Sequence, residues 1–346
     1  MATKSPALAD YMARWPREVV LPPTFAPLTC STYETLTRLY IVPDLGNKRL
    51  DKLTVADVRT WLNKLRETCQ CCAQGKDARR DEKRQRCCAK GKCCKQYASE
   101  RTIQDARTVL RSVLSNAVTE ELISKNVAGL VRVSKPRPRK NKPWSVEEAR
   151  KFLESARDDG DPMYAAYVLI LILGLRKGEV LGLPWSAVNL DGGEIDVTWQ
   201  LQRVRRELLH RGTKTEASDA TLPLPDICVT ALRLRRKRQE QSREAASADW
   251  TDTGLVFTTW YGKPIDPRNF NRSFDERCRK SGFRKIKVHD TRHTCATLLA
   301  ALDVHPRVAM RILRHARIEV TMEVYTGVSD AKTLKALKRL GKQFDL

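Results

Sequence analysis

The stretch RVSKPRPRKNKP, residues 132–143, limits every fold this chain can adopt. Pro136 and Pro138 lack backbone donors and bar a helix, and six basic residues with no acidic one keep the segment solvated. Helical patterning ends before it and restarts after it, so it reads as an extended linker between two folding units. A chain of 346 residues is long enough for both units to bury their own cores. The division is a first domain over 1–133, a linker over 134–143 and a second domain over 144–346.

The first domain reads as helical. In LTVADVRTWLNKL, Thr54 and Asp57 form a capping box, and Leu53, Val58, Leu62 and Leu65 recur at roughly helical spacing. In SERTIQDARTVLRSVLSNAVTEELI, the residues Ile103, Ala106, Val109, Leu110, Val113, Leu114, Ala117 and Val118 make one broad apolar stripe. Between these helices lies CQCCAQGKDARRDEKRQRCCAKGKCC, an insertion over about residues 69–96 where a short loop would serve.

The second domain opens with a further capping box, Ser145 and Glu148. MYAAYVLILILGLRKGEVLGLPW predicts a buried helix ending near Gly174, a turn and another helix. EIDVTWQLQRV, RELLHRGTKT and DATLPL have the alternation of one small antiparallel sheet, and helices resume at DICVTALRLRRKRQEQ. The predicted fold class is mainly α, with a small antiparallel sheet in the second domain.

Formal net charge is +23, from 64 Lys plus Arg against 41 Asp plus Glu, which attracts polyanions and makes nucleic acid the first partner to consider. The plainer alternative is a basic soluble protein with no such partner. In the linker, Arg137, Arg139, Lys140 and Lys142 are candidates to lie along DNA phosphates, with a solvated hinge as the alternative. No apolar run is long enough to cross a bilayer, and the N-terminus has no signal-peptide pattern, which predicts a soluble intracellular protein. That setting favours reduced thiols for the eleven cysteines. Cys69, Cys71, Cys72, Cys87, Cys88, Cys93 and Cys94 crowd the insertion, enough to hold one structural zinc ion among basic residues that favour the thiolate. The usual C-x-x-C knuckles are absent, so a basic loop with reduced thiols stands beside the zinc reading.

Four patterns in the second domain share one chemical theme. GLRKGEVLGL carries Arg176 and Glu179, and GTKTEASDATLPL carries Lys214 between strands. KVHDTRHTCATLL carries His289 and Arg292, and LRHARIEVTMEVYTG carries His315 and Tyr325. Fixed guanidiniums suit the charge that grows on a phosphodiester under attack. A phenol becomes a nucleophile where a base or positive field helps remove its proton, and a lysine can protonate the leaving alkoxide. Singly each residue is more often packing or a solvated charge; the order and spacing of the whole set carry the reading.

In that order, Arg176, Glu179, Lys214, His289, Arg292, His315 and Tyr325 resemble the signature of the tyrosine recombinases, the phage integrase family. The resemblance covers the second domain, and the first is similar to the family's helical, SAM-like core-DNA-binding domain. It implies that Tyr325 attacks a DNA phosphate to give a 3′-phosphotyrosyl intermediate, with Arg176, Arg292 and His315 binding the phosphate. Lys214 would act as general acid. His289 would bind the phosphate or help take the phenolic proton, and Glu179 would hold the arginine and histidine side chains. No metal or ATP is implied for strand transfer. The implied partners are double-stranded DNA attachment sites, three further copies of the chain in a homotetramer and an accessory directionality factor, in the cytoplasm and nucleoid of a bacterial cell.

Two positions depart from the family pattern. Arg314 stands where Gly usually precedes the late His, which implies a turn with no need for positive φ, or an altered local geometry. Gly327 stands where a His often follows the Tyr. The tail, residues 329–346, has Leu334, Leu337, Leu340 and Phe344 on one stripe, which fits docking on a neighbouring copy or packing on its own domain. A non-catalytic DNA-binding regulator on the same scaffold is the alternative function, although all seven site residues are retained. A type IB topoisomerase would share the chemistry without needing a docking tail.

Overall fold

The computed structural model describes residues 5–134, 142–213 and 219–325. Lys214, Arg137, Arg139, Lys140, Gly327 and the C-terminal tail therefore lie outside the described residues. Contacts divide the chain into two compact units, with the division between Arg139 and Lys140. No helix among the described residues is long and apolar enough to cross a membrane.

The N-terminal unit contains α1 (Leu8–Glu18), α2 (Pro27–Leu36), α3 (Val42–Leu45), α4 (Val55–Glu67), α5 (Gln70–Ala73), α6 (Glu100–Thr119) and α7 (Val127–Leu130). Helix α4 starts at the expected capping box: the Thr54 hydroxyl accepts the Asp57 N–H at 3.1 Å, and the Asp57 carboxylate accepts the Thr54 N–H at 3.0 Å. On α6, the stripe from Ile103 to Ala117 is buried, while Val118 sits half-buried at its edge. Each large side chain on such a stripe contributes about 1.5–3 kcal/mol by leaving water. Trp61, which lay outside the expected α4 stripe, is also buried and donates its indole N–H to Tyr40 O at 2.8 Å.

The cysteine segment is folded on itself. The Gln70 N–H donates to Gln96 O at 2.8 Å, closing its two ends. Cys69, Cys71 and Cys87 form a small core of their own, with Cys72 packed against it. Asp77 is fully buried and accepts the N–H groups of Arg86, Cys87 and Ala89 and the Arg80 guanidinium. Burial alone would raise its carboxyl, yet these donors outweigh it and hold the group low.

The second unit contains α8 (Val146–Asp158), α9 (Tyr164–Ile172), α10 (Lys177–Leu181), α11 (Asp226–Ala246), α12 (Pro267–Lys280), α13 (Asp290–Ala301), α14 (Pro306–Leu313) and α15 (Ile318–Tyr325). Helix α9 is apolar on every side and buried from Ala165 to Leu171, so the others can pack around it. Its strands are β1 (Val188–Asn189), β2 (Glu194–Val197), β3 (Trp199–Val204), β4 (Glu207–Gly212) and β5 (Ala220–Pro223). They form two antiparallel sheets where one was expected: β1-β2-β5, and a separate β3-β4 hairpin. Ile195 lies opposite both Val188 and Leu222, and all three join the core. The hairpin buries only Leu201 fully, so it has little apolar face to hold it in that sheet.

The hairpin instead fixes α10. A Cβ on Gly182 would stand 2.5 Å from the Gln200 carbonyl carbon and the Leu201 nitrogen, so the helix end and β3 meet backbone to backbone. His210 Nε2 lies 2.7 Å from Gly182 O on the same contact.

Candidate active site

Arg176 is the N-cap of α10 and Glu179 its third residue, which turns the Arg-x-x-Glu spacing into a reciprocal contact. Glu179 accepts the Arg176 N–H at 2.7 Å and its guanidinium at 2.6 Å. The other side of the same carboxylate takes Arg314 Nη2, also at 2.6 Å. Arg176 in turn donates to Arg314 O at 3.3 Å. Burial by itself would raise the Glu179 carboxyl, and Arg314 and Arg176 together pull it below its ordinary range. Glu179 thus holds two arginines. Among the described residues no histidine hydrogen-bonds to it.

Arg314 corrects an expectation. It caps α14 in the left-handed region, with φ 51° and ψ 52°, so the turn before His315 does need positive φ. A side chain there costs about 1–2 kcal/mol that glycine would not. The guanidinium offsets this cost through its buried contact with Glu179, which glycine could not make.

Arg292 comes from the first turns of α13. Its Nη1 donates to Gly174 O at 2.6 Å, and Gly174 reaches that position with φ +58° at the end of α9. A Cβ there would stand 2.6 Å from Leu313 Cδ2. The other amino group, Nη2, is buried with no partner among the described residues. Burial, then Arg176 and Arg314, pull Arg292 down to about 9, so the guanidinium remains charged at neutral pH.

His289 is the N-cap of α13, and partial desolvation, His293 and Arg292 all disfavour its protonation. His315 Nδ1 lies 2.9 Å from Thr321 Oγ1, a fully buried residue of α15. Burial first, then Arg292, Arg176, His293 and Arg314, push His315 down to about 4. Tyr325 ends α15, which packs against α13 and α14, and its hydroxyl is buried without a partner among the described residues. Burial and the Cys295 thiol raise its pKa.

The structure therefore gathers Arg176, Glu179, Arg292 and His315, with Arg314 as an addition. Arg314 is buried and left-handed, and only its departure from the family's glycine marked it in the sequence. Thr321, the carbonyl of Gly174 and Cys295 had no sequence signal, because their parts depend on contacts between α9, α13 and α15. Lys142, a linker candidate, is exposed, and its carbonyl accepts from Arg284 at 2.7 Å.

The low His315 has a consequence for stability. A histidine whose folded pKa lies below its unfolded value of about 6.5 adds stability above that value and loses it as pH falls toward 4. The urea midpoint should fall over this window, and His315→Gln should flatten the decline relative to wild type. An unchanged slope in the variant would show that His315 is not the group responsible.

Solved structures share this mostly helical DNA breaking-rejoining fold. The Tn1549 transposon integrase, in complex with transposon right-end DNA, matches with a TM-score of 0.72 over 97% of this chain and 100% of its own, at 18% identity. A lambda integrase tetramer bound to a Holliday junction matches at 0.61 over 94% and 79%, at 16% identity. A XerC-like tyrosine recombinase of Caldanaerobacter subterraneus subsp. tengcongensis is 26% identical over 97% of this chain and 83% of the relative. An integrase of Streptomyces ambofaciens is 27% identical over 84% and 69%. The phage integrase family pattern spans residues 104–332, and the N-terminal SAM-like domain of phage integrases matches residues 7–66. The chain belongs to the phage integrase family, whose members are tyrosine recombinases that cleave and rejoin DNA at specific sites.

Proposed function

We propose that this chain is the integrase of a mobile element and that Tyr325 is its nucleophile. The observation that carries the reading is the charge of the site. Arg176 and Arg314 share the one carboxylate of Glu179, Arg292 lies within the field of both, and its Nη2 has no partner among the described residues. A buried excess of guanidinium calls for an anion, and a DNA phosphodiester supplies one.

The phenolic oxygen of Tyr325 attacks the scissile phosphorus, and the bond from phosphorus to the 5′-oxygen breaks. The products are a 3′-phosphotyrosyl link and a 5′-hydroxyl, which receives a proton from Lys214 in this scheme. Arg176, with its side chain 37% exposed, and Arg292 stabilise the charge on the non-bridging oxygens. Arg292 is 5% exposed, so the phosphate reaches it only if elements packed over it move. The phosphate's charge counters the cationic field that, after burial, lowers His315, which favours protonation of its imidazole and a hydrogen bond to the phosphate. His289, the N-cap of α13 three residues before Arg292, binds the phosphate or accepts the phenolic proton, which otherwise passes to water. Attack by the 5′-hydroxyl of another strand reverses the step and exchanges partners, with no net bond energy lost and no metal or ATP required.

The DNA-bound Tn1549 integrase and the lambda integrase tetramer on a Holliday junction support duplex attachment sites and a tetramer as the working partners. Arg137, Arg139, Lys140 and Lys142 then track phosphates between the domains, and the tail docks on a neighbouring copy. A directionality factor sets integration against excision.

The test is covalent capture. Full-length protein incubated with nicked DNA carrying candidate attachment sites should give an SDS-resistant adduct with a free 5′-hydroxyl, mapping to the Tyr325 peptide. Linkage through another residue, or to the 5′ end, would overturn the assignment.

A further inference from the structure

We propose that the cysteine segment binds two zinc ions on six thiolates, with Cys87 and Cys69 shared between them. The Sγ atoms of Cys69, Cys72, Cys87 and Cys93 all lie within 4.8 Å of one another. Those of Cys71, Cys87 and Cys94 meet the same limit, so Cys87 belongs to both groups. Four sulfurs about 2.3 Å from one tetrahedral zinc ion stand about 3.8 Å apart. The sulfurs of Cys72 and Cys87 are 3.3 Å apart, and those of Cys69 and Cys94 are 3.8 Å apart. The first group fills one tetrahedron. The second supplies three ligands, and Cys69, 3.8 Å from Cys94 but outside that group's 4.8 Å limit, closes on the ion as a second bridge. Cys88 is exposed and belongs to neither group.

A repeated turn places these ligands. C-C-A-x-G-K occurs at residues 71–76 and again at 87–92. In the first copy the Gly75 N–H donates to Cys72 O and the Lys76 N–H to Cys71 O; in the second, Gly91 donates to Cys88 O and Lys92 to Cys87 O. Both glycines sit at positive φ, 58° and 65°, which lets each turn close behind its cysteine pair. Of the shared ligands, Cys87 has the most support. The Cys94 N–H donates to Cys87 Sγ at 3.1 Å, and buried Asp77 accepts the Cys87 N–H at 2.7 Å.

Thiolates alone select a soft ion, and their close spacing favours zinc over an iron–sulfur core, whose sulfides hold cysteines farther apart. Binding displaces the thiol protons to solvent and leaves a cluster of negative charge, six thiolates against two divalent ions. Lys76, Arg80, Arg86, Lys90 and Lys92 of the same segment offset it. The cluster orders a basic surface and is separate from strand transfer.

The test counts metal on full-length protein purified under reducing conditions. Wild type should carry about two equivalents of zinc per chain, and Cys88→Ser should keep both. Cys71→Ser and Cys94→Ser should each keep about one, and Cys87→Ser less than one. Independently of any variant, cobalt(II) titrated into metal-stripped wild type should give thiolate charge-transfer absorption, then lose paramagnetism as the second equivalent couples through the bridges. A single equivalent, uncoupled cobalt, iron with sulfide, or no metal would each overturn the proposal.

Discussion

Tyr325→Phe should abolish the covalent DNA adduct while leaving the fold and DNA affinity intact. The cleavage rate should drop by about 10⁴ or more, the scale on which a covalent catalyst loses rate when its nucleophile is removed. The variant is a clean test because the Tyr325 hydroxyl is buried with no partner among the described residues. Deleting an unsatisfied hydroxyl forfeits no protein hydrogen bond, so the change in stability should stay within about 0.5 kcal/mol. Adduct yield on nicked attachment-site DNA, melting temperature and a binding titration separate these effects. An adduct that persists in the Phe variant sinks the nucleophile assignment. A loss of adduct accompanied by loss of DNA binding would instead assign the hydroxyl to binding.

Sequence patterning was most informative where a local rule fixes the outcome. The stripe from Ile103 to Ala117 is buried because side chains three and four apart share a helix face, whatever the tertiary context. The capping boxes at Thr54 and Ser145 likewise depend only on neighbours three residues away. Arg176 and Glu179 meet for the same reason. Patterning was less informative where partners come from far along the chain. The split into two sheets depends on β5 returning to β2, and alternation within a strand does not specify its neighbour. Arg314 exposed the limit of reading a departure by residue type. An arginine in place of glycine implied a turn without positive φ, yet the backbone kept the left-handed conformation. The compensating contact to Glu179 spans 135 positions.

That compensation predicts a strong coupling between Glu179 and Arg314. Glu179→Gln should cost about 3–5 kcal/mol, because it leaves two guanidiniums facing each other in a site where Glu179 is 4% exposed and Arg314 3%. Arg314→Gly in the wild-type background removes one partner of that carboxylate but relieves about 1–2 kcal/mol of left-handed strain, so its net cost should be smaller. In the Glu179→Gln background the signs change. Arg314 then has no carboxylate, repels Arg176 and Arg292, and still carries the strain, so replacing it with glycine should restore stability. The double-mutant cycle from urea denaturation should therefore give a coupling energy of about 2 kcal/mol or more. Additivity within about 0.5 kcal/mol would mean that the salt bridge does not offset the strain, and that Arg314 is tolerated at this turn for some other reason. The same cycle, read as adduct formation, tests catalysis separately. Glu179 orients Arg176 directly, whereas among the described residues the hydrogen bonds that tie Arg314 to Arg176 run through Glu179 and through its own carbonyl. Arg314→Gly should therefore slow cleavage less than Glu179→Gln does.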